Sequence, residues 1–225
     1  MTYHHSSRRR VLALAILTVA TSGLTAAVAN ASAGHRDTVV PVRHVAGLTG
    51  DELLGESWAA RLVLPAENRF VGRCQPLGRG GQVLQPVIGD DGTATCTARP
   101  GKPIFLRYGT FCNDVEPPPY FGADAAAQRA CAVALDEGVV ALRIGVDGRP
   151  PVEIHRPRFD LISPQRTVQL PPDNFMGVPP QTMTFVAHAW GALVDGLRRG
   201  RHTITFQIVT VDFDATVTVV VHVGR

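Results

Sequence analysis

The chain has 225 residues, of which 45% are apolar and 18% are charged. This composition suits one globular domain of ordinary size and excludes intrinsic disorder as the main state, while 22 glycines and 17 prolines favour a turn-rich β protein. The 22 lysines and arginines exceed the 19 acidic residues only through Arg8, Arg9 and Arg10. Residues 34–225 therefore carry no net charge, and we expect no electrostatic footprint for nucleic acid or for an anionic membrane.

The first 33 residues have the layout of a signal peptide. The three arginines precede an apolar stretch, residues 11–28, and a small-residue segment then offers A-x-A cleavage after Ala31 or Ala33. Ser7 and the arginines also fit a twin-arginine signal, and the pattern does not separate the two export routes. An uncleaved membrane anchor is the alternative, and the polar residues that dilute the stretch argue against it. We expect a protein that is secreted or associated with the cell envelope and has no membrane segment after cleavage.

The next part of the chain predicts an edge strand and a helix. Residues 34–47 form an N-terminal lead, in which Pro41 allows an edge strand at most because proline cannot donate a ladder hydrogen bond. Thr49 and Glu52 are spaced as a capping box, which marks the start of a helix. Pro65 ends that helix.

Strands separated by glycine-rich turns are predicted over residues 70–110, and a second helix runs from Asp124, its N-cap, to about Glu137. From Val139 onward, apolar residues recur at every second position, and Asp147-Gly148 is typical of a hairpin turn. The residues predicted to share strand faces are Val140, Leu142, Ile144 and Val146; His202, Ile204, Phe206 and Ile208; and Val217, Val219, Val221 and Val223.

These elements predict a single mainly β domain over residues 48–225, an antiparallel β-sandwich with two decorating α-helices, stapled by two disulfides. An even number of cysteines in an exported chain indicates the disulfides and disfavours a catalytic thiol. Their spacings of 22, 16 and 19 residues fit no zinc-binding pattern. Of the three connectivities we favour Cys74–Cys96 with Cys112–Cys131, because each bond closes a loop of about twenty residues.

Three parts of the chain carry recognisable segments. The first comprises residues 48–53 with Trp58, Pro65 and Asn68; the second comprises residues 96–97, 100–105, 112, 129–131 and 146–148; the third is residues 197–206, with the pattern L-x-x-G-x-H-x-I-x-F. In this order they resemble a loosely defined group of uncharacterised secreted bacterial β-rich proteins, over roughly residues 47–225.

The chain departs from that group at two places. Gln207-Ile208 stands where Gly-Gly often follows the third segment, and Ser57-Trp58 stands where the group has a doubled tryptophan. The resemblance implies export and the fold, and it implies no catalytic residue because the group has no assigned activity.

Two residue types suggest catalysis at first sight. Ser57 lies in Gly55-Glu56-Ser57-Trp58-Ala59, one residue away from a nucleophile elbow, but it falls inside the predicted helix, so we expect a helix-face serine. His202 is either a buried neutral imidazole that pins a turn or a metal ligand or general base, and we expect the structural role. His188 and His222 alternate with apolar neighbours in the same way, but nothing in the pattern links the three.

Several loops carry residues that could bind ions. Asp90-Asp91 and the pair Asp212 and Asp214 lack the register of a calcium-binding loop, and Gly78-Arg79-Gly80-Gly81 lacks the lysine of a phosphate-binding loop. We therefore predict no metal and no cofactor.

Two proline-rich loops present apolar residues instead. Residues 117–119 are three prolines that stiffen the chain before Tyr120 and Phe121, which predicts a contact surface of low entropy cost. The alternative is that Phe121 folds onto the second helix. Phe175 and Met176, in the loop at residues 171–177, form a second candidate contact surface.

The preferred interpretation is therefore a non-catalytic exported domain that binds an unidentified envelope or extracellular ligand. A secreted hydrolase whose site is assembled from distant residues is the first alternative, and a purely structural envelope component is the second. His202 is the residue whose substitution best separates these classes.

We predict that the mature protein begins at Ser32 or Gly34, because cleavage follows a small-residue site. Intact-mass analysis of culture supernatant measures this directly. A secreted chain that retains Met1 would contradict the cleaved form of export.

Overall fold

The computed structural model describes residues 38–174 and 176–224 as a mainly β fold with two α-helices and two disulfides. The predicted signal peptide lies outside the described residues. The helices and strands, in chain order, are β1 (Val39–Pro41), β2 (His44–Val45), β3 (Leu48–Thr49), α1 (Gly50–Leu62), β4 (Arg73–Leu77), β5 (Val83–Val87), β6 (Thr93–Ala98), β7 (Ile104–Tyr108), β8 (Phe111–Asn113), α2 (Ala125–Leu135), β9 (Val139–Val146), β10 (Val152–Glu153), β11 (Asp160–Ile162), β12 (Arg166–Gln169), β13 (Thr182–Val194), β14 (Gly200–Thr210) and β15 (Asp214–Val223). None of the helices in this part of the chain is long and apolar enough to cross a membrane.

One large sheet contains every strand except β2 and β3, which pair with each other. Its main path runs in the order β1, β13, β7, β5, β4, β6, β15, β14, β9, β10, and β8, β11 and β12 join β13. Strand β6 pairs in parallel with both β4 and β15, and β5 pairs in parallel with β7. The mainly β class, the helices and the disulfides are as predicted, but the sheet is mixed and nearly closed rather than an antiparallel sandwich.

The sheet nearly closes on itself, because side chains from strands at both ends of the strand order meet in one core cluster. Ile144 and Val146 of β9 belong to the same buried cluster as Val39 of β1 and as Ala192 and Val194 of β13. The sheet therefore curls back on itself around one apolar interior. Alternation along a strand reveals its buried face but not the identity of its neighbour, which is why the pattern did not predict the pairing.

Both helices begin where the sequence predicts. The Thr49 Oγ1 accepts from the backbone N–H of Glu52 at 3.2 Å, and the Glu52 carboxylate accepts from the backbone N–H of Thr49 at 2.8 Å, so the capping box is confirmed. Asp124 caps α2 by accepting from the N–H of Ala127 at 2.9 Å. Helix α2 ends at Leu135, two residues before the predicted end, because Asp136 becomes its C-cap.

Strand β9 differs from the predicted alternation at one residue. Val140 is 57% exposed, whereas Val139 is buried. The register with β14 pairs Ala141 with Val209 and Val139 with Thr210, so Val140 is the extra residue of a β-bulge. A bulge reverses the side-chain alternation beyond it, and the prediction that Val140 shares a face with Leu142 is wrong for that reason.

The N-terminal lead is part of the sheet in its described portion. Val39, Val40 and Pro41 of β1 pair with residues 192–194 of β13, at one end of the strand path. The prediction that Pro41 restricts this segment to an edge strand is confirmed. On the outer face of the sheet, α1 buries Leu53, Leu54 and Leu62 in a second apolar cluster.

Each disulfide connects two elements that are close along the chain. Cys74 of β4 bonds Cys96 of β6, and Cys112 of β8 bonds Cys131 of α2. This is the connectivity that the loop lengths favour. The first bond fastens a parallel strand pair, and the second fastens α2 to the sheet.

We expect the double change Cys74→Ala and Cys96→Ala to lower the free energy of unfolding by about 3 kcal/mol, because the unfolded chain regains the entropy of the open loop. Urea denaturation of the mature protein measures the loss. Peptide mapping of the non-reduced wild type is the control, and free thiols or a crossed pair such as Cys74 with Cys131 would contradict the connectivity.

Candidate functional site

His202 lies on β14 and is held at both ring nitrogens. Its Nδ1 lies 2.7 Å from the Asp147 carboxylate, and its Nε2 lies 2.7 Å from the backbone carbonyl of Arg198. Both partners are hydrogen-bond acceptors, so the geometry favours the protonated imidazole, in which both ring nitrogens donate. The hydrogen bond to Asp147 is the main cause that raises the pKa of His202 above its ordinary value.

These contacts are the ones expected of a structural histidine. Its side chain is 15% exposed and connects the Asp147 hairpin turn to the Arg198 turn. The contacts connect two turns through a carboxylate and a carbonyl, as predicted, but they favour a charged ring where the sequence predicted a neutral one. A ring with both nitrogens engaged has no lone pair for a metal or a substrate proton.

The Ser57 hydroxyl is also held in a hydrogen bond and is not arranged as a nucleophile. It is fully buried in the middle of α1, and its Oγ accepts from Arg107 Nε at 2.5 Å. A nucleophile elbow needs an exposed serine on a sharp turn between a strand and a helix. Ser57 has neither the turn nor the exposure, so it is a structural serine.

Aspartates of the two loops considered for calcium binding accept hydrogen bonds from residues close to them in the chain. Asp91 caps its own turn by accepting from the Thr93 N–H and hydroxyl at 2.9 Å, and Asp214 accepts from the side-chain amide of Gln207 at 3.1 Å. His222 is exposed on β15. In residues 38–174 and 176–224, no group of three or more histidine, cysteine, aspartate or glutamate side chains is arranged to hold a metal ion.

The most exposed pair of adjacent aromatic residues lies in the proline-rich loop between β8 and α2. Tyr120 and Phe121 are 43% and 46% exposed. We call residues 117–122 the aromatic loop. Exposed aromatic rings on a well-held backbone are typical of protein contact surfaces, because they bring a large apolar area at a low entropy cost.

Asn113, at the end of β8, holds the aromatic loop through hydrogen bonds of its backbone. Its backbone N–H donates to the Tyr120 carbonyl at 2.9 Å, and its carbonyl accepts from the Gly122 N–H at 2.8 Å. Its fully buried side-chain oxygen accepts from the N–H groups of Val115 and Glu116. Asn113 therefore holds the two aromatic residues from both sides through the backbone.

Helix α2 closes the other side of the loop. The buried amide of Gln128 donates to the Gly122 carbonyl at 3.0 Å and to the Thr184 hydroxyl of β13 at 3.0 Å. A Cβ on Gly122 would lie 2.5 Å from the Gln128 backbone nitrogen, so only glycine permits this approach. The Cys112–Cys131 disulfide adds a covalent link at the same place.

The second predicted contact surface differs from the first. Met176 is partly buried and packs against the apolar cluster beneath α1. Phe175 lies outside the described residues. Of the predicted contact residues that the structure describes, Tyr120 and Phe121 are therefore the exposed ones.

A buried polar cluster that the sequence did not reveal surrounds His188. The ring Nδ1 lies 2.7 Å from the Asp136 carboxylate, at the end of α2, and Nε2 lies 3.0 Å from the Asp160 carboxylate, at the start of β11. His188 is only 4% exposed. Burial lowers its pKa, but the hydrogen bonds and charges of the two carboxylates outweigh burial, so the pKa of His188 is raised.

This cluster joins three elements and offers no reactive group. Asp136 also accepts from the backbone N–H of Thr110 at 3.1 Å, and the Trp190 ring stands edge-to-face against His188 at 4.8 Å. Among the described residues, no serine, threonine or cysteine side chain hydrogen-bonds to its three members. Because the carboxylates occupy both ring nitrogens, His188 acts as a buried connector.

A broad basic cleft of about 850 Å³ lies beside β1 and the turn at residues 99–102. The charged residues that line it include Arg43, Arg99 and Lys102, with Asp195 as an acidic neighbour. Both arginines are exposed. Water and salt screen charges in such positions, so this cleft offers only a weak attraction to anions.

The sequence did not identify Asn113 or His188 as organising residues. An asparagine after a short apolar strand is a common turn residue, and a single histidine in an apolar strand has no local partner that marks it. The importance of His188 depends on Asp136 and Asp160, which lie more than twenty positions away, and that of Asn113 depends on how the following loop folds back onto its backbone.

No known protein family matches the chain, and no curated protein matches it. Among solved structures, the solution structure of amebosin aligns with a TM-score of 0.24 and 13% identity, covering 63% of this chain and 96% of that chain. Because a TM-score this low does not indicate a shared fold, we take neither fold nor function from amebosin.

We expect His202→Ala to lower the free energy of unfolding by about 1–3 kcal/mol, because Asp147 and the Arg198 carbonyl lose their partner. The loss should be full below pH 6.5, the ordinary pKa of His202, and should shrink as the pH rises through its raised folded-state pKa. It should also shrink in acid once Asp147, whose pKa is lowered, takes up a proton. Urea denaturation between pH 2 and pH 9 measures this profile.

His222→Ala is the matched control, since His222 is exposed on the neighbouring strand, and it should change stability by no more than about 0.5 kcal/mol. A His202→Ala protein as stable as wild type at pH 6, or a wild type that a chelator destabilises, would contradict the structural role.

Proposed function

We propose that this protein is an exported, non-catalytic binding domain that contacts a ligand in or near the cell envelope through the aromatic loop. Export follows from the signal-peptide layout and from the resemblance to secreted bacterial β-rich proteins. Two disulfides suit an oxidising, extracytoplasmic compartment.

One observation carries the binding role. Tyr120 and Phe121 are adjacent and nearly half exposed, and their backbone is held by Asn113 on one side and by α2 on the other. A loop that has already lost its conformational freedom pays little further entropy on binding. Tyrosine is among the residue types enriched in binding hot spots, and tyrosine and phenylalanine are both enriched in the cores of protein interfaces.

The hydrolase alternative finds less support. Among the described residues, Ser57 is buried against Arg107, and the ring nitrogens of His188 and His202 are hydrogen-bonded to carboxylates or to a carbonyl. Acyl transfer needs a serine or cysteine within hydrogen-bond reach of a base that has a free nitrogen. A purely structural envelope component would leave the exposed aromatic pair without a role.

We expect the double change Tyr120→Ser and Phe121→Ser to weaken retention on purified envelopes of the producing cell at least tenfold, the range of a lost hot spot. Both residues are nearly half exposed and lie outside the apolar clusters, so the thermal midpoint should fall only slightly below that of wild type. Co-sedimentation of the mature protein with envelopes over a concentration series measures the retention.

Val140→Ser with Val211→Ser is the matched control, because these valines are 57% and 74% exposed outside the aromatic loop. The control should bind as wild type does. Equal retention of the aromatic-loop variant and the control would contradict the proposal, and absence of wild-type binding to envelopes would contradict the envelope as the site of action.

A further inference from the structure

A small cleft lies where the end of α1 approaches the sheet, away from the elements that hold the aromatic loop. It has a volume of about 190 Å³ and is lined at one side by Arg61 of α1 and Arg107 of β7. Its other walls are mainly apolar and include Phe70, Ile208 and Val217. Among the described residues that line it, none is an aspartate or a glutamate.

Arg107 is held firmly by one edge of its guanidinium group. Its Nε donates to Ser57 Oγ at 2.5 Å, and its guanidinium carbon lies 3.9 Å from the centroid of the Trp58 ring. Ser57 is fully buried, so this arginine cannot swing freely into solvent. Within residues 38–174 and 176–224, its two terminal nitrogens form no hydrogen bond. A planar fork of N–H donors therefore remains available at the cleft.

The surroundings of Arg107 and Arg61 disfavour positive charges that have no anion beside them. Burial and the charge of Arg61 lower the pKa of Arg107 to about 9, while the charge of Asp136 acts in the opposite direction. Burial, followed by the charge of Arg69, also lowers the pKa of Arg61. Like charges in a partly desolvated place repel each other, and a bound anion relieves that repulsion.

The shape of the cleft limits the ligand. Its volume corresponds to about six water molecules at roughly 30 Å³ each, so the ligand is smaller than a typical cofactor. A guanidinium fork matches the two oxygens of a carboxylate. The apolar walls favour a short hydrocarbon body behind that carboxylate.

We propose that this cleft binds small organic carboxylates, with Arg107 gripping the carboxylate through its terminal N–H groups and with Phe70, Ile208 and Val217 packing around the apolar body. Arg61 adds a second positive charge at the cleft. The proposal is independent of the aromatic loop, since no residue of that loop lines the cleft.

Butyrate, whose number of heavy atoms matches the size estimate, is the probe. We expect saturable binding to the mature protein with a Kd on the order of 1 mM, seen by NMR as shifts of the Arg107 Nε–H signal and of the Val217 methyl signals. Butyramide has the same shape without the charge, and sulfate has charge without an apolar body. Both should bind this cleft at least tenfold more weakly.

Three variants locate the site. Arg107→Lys keeps the charge and removes the fork, and Val217→Phe fills the apolar part while leaving both arginines in the sequence. Each should weaken butyrate binding at least tenfold. Val217→Phe keeps the test decisive where Arg107→Lys unfolds, because Val217 is only partly buried. Arg199→Gln, at an exposed arginine that does not line the cleft, should bind butyrate as wild type does.

Four outcomes would overturn the proposal. They are no saturable shift with butyrate, shifts confined to the broad cleft of Arg43, Arg99 and Lys102, equal binding of butyramide, and equal binding of sulfate. Equal binding of butyramide would show that the negative charge of the ligand is not needed. Equal binding of sulfate would show that the apolar walls are not needed.

Discussion

Strand β13 is the constraint on which the rest of the structure depends. It pairs with five other strands: β8 and β12 along its first half, and β1, β7 and β11 along its second half. Its two faces also belong to different apolar clusters. Met183, Phe185, Ala187 and Ala189 face the cluster beneath α1, whereas Ala192 and Val194 face the interior of the curled sheet. A single strand thus sets the relative position of both cores.

The polar residues of β13 then place the surrounding elements. His188 connects the end of α2 to the start of β11 through two carboxylates, in a position where an unpaired imidazole would be costly. Thr184 accepts from Gln128 of α2, and its backbone N–H donates to the Asp114 carboxylate beside the aromatic loop. The orientation of Tyr120 and Phe121 therefore derives from hydrogen bonds that start in the middle of the sheet.

Positive and negative charges balance over residues 34–225, but they are unevenly distributed in the fold. Residues 34–225 have equal numbers of acidic and basic residues, yet Asp136 and Asp160 enclose one imidazole while Arg61 and Arg107 share one cleft. The first arrangement is satisfied internally, because donors and acceptors match. The second leaves guanidinium donors of Arg107 available, which is why it is the place where an anion is expected to bind. Net charge correctly describes long-range attraction and says nothing about such local groupings.

The sequence by itself determined the features that depend on neighbours a few positions apart or on simple loop lengths. These are the capping box at Thr49, the N-cap at Asp124, the edge position of Pro41 and most of the strand faces. The loop lengths also favoured, among three possible connectivities, the disulfide pairing that the structure has. Only the tertiary structure decided the mixed strand order, the bulge at Val140, the hydrogen-bond partners of His188 and His202, and the residues that surround Arg107. Each of these depends on which distant strand or helix packs alongside. Alternation with a period of two residues does not reveal which element that is, because every strand with one buried face shows the same pattern whatever its neighbour.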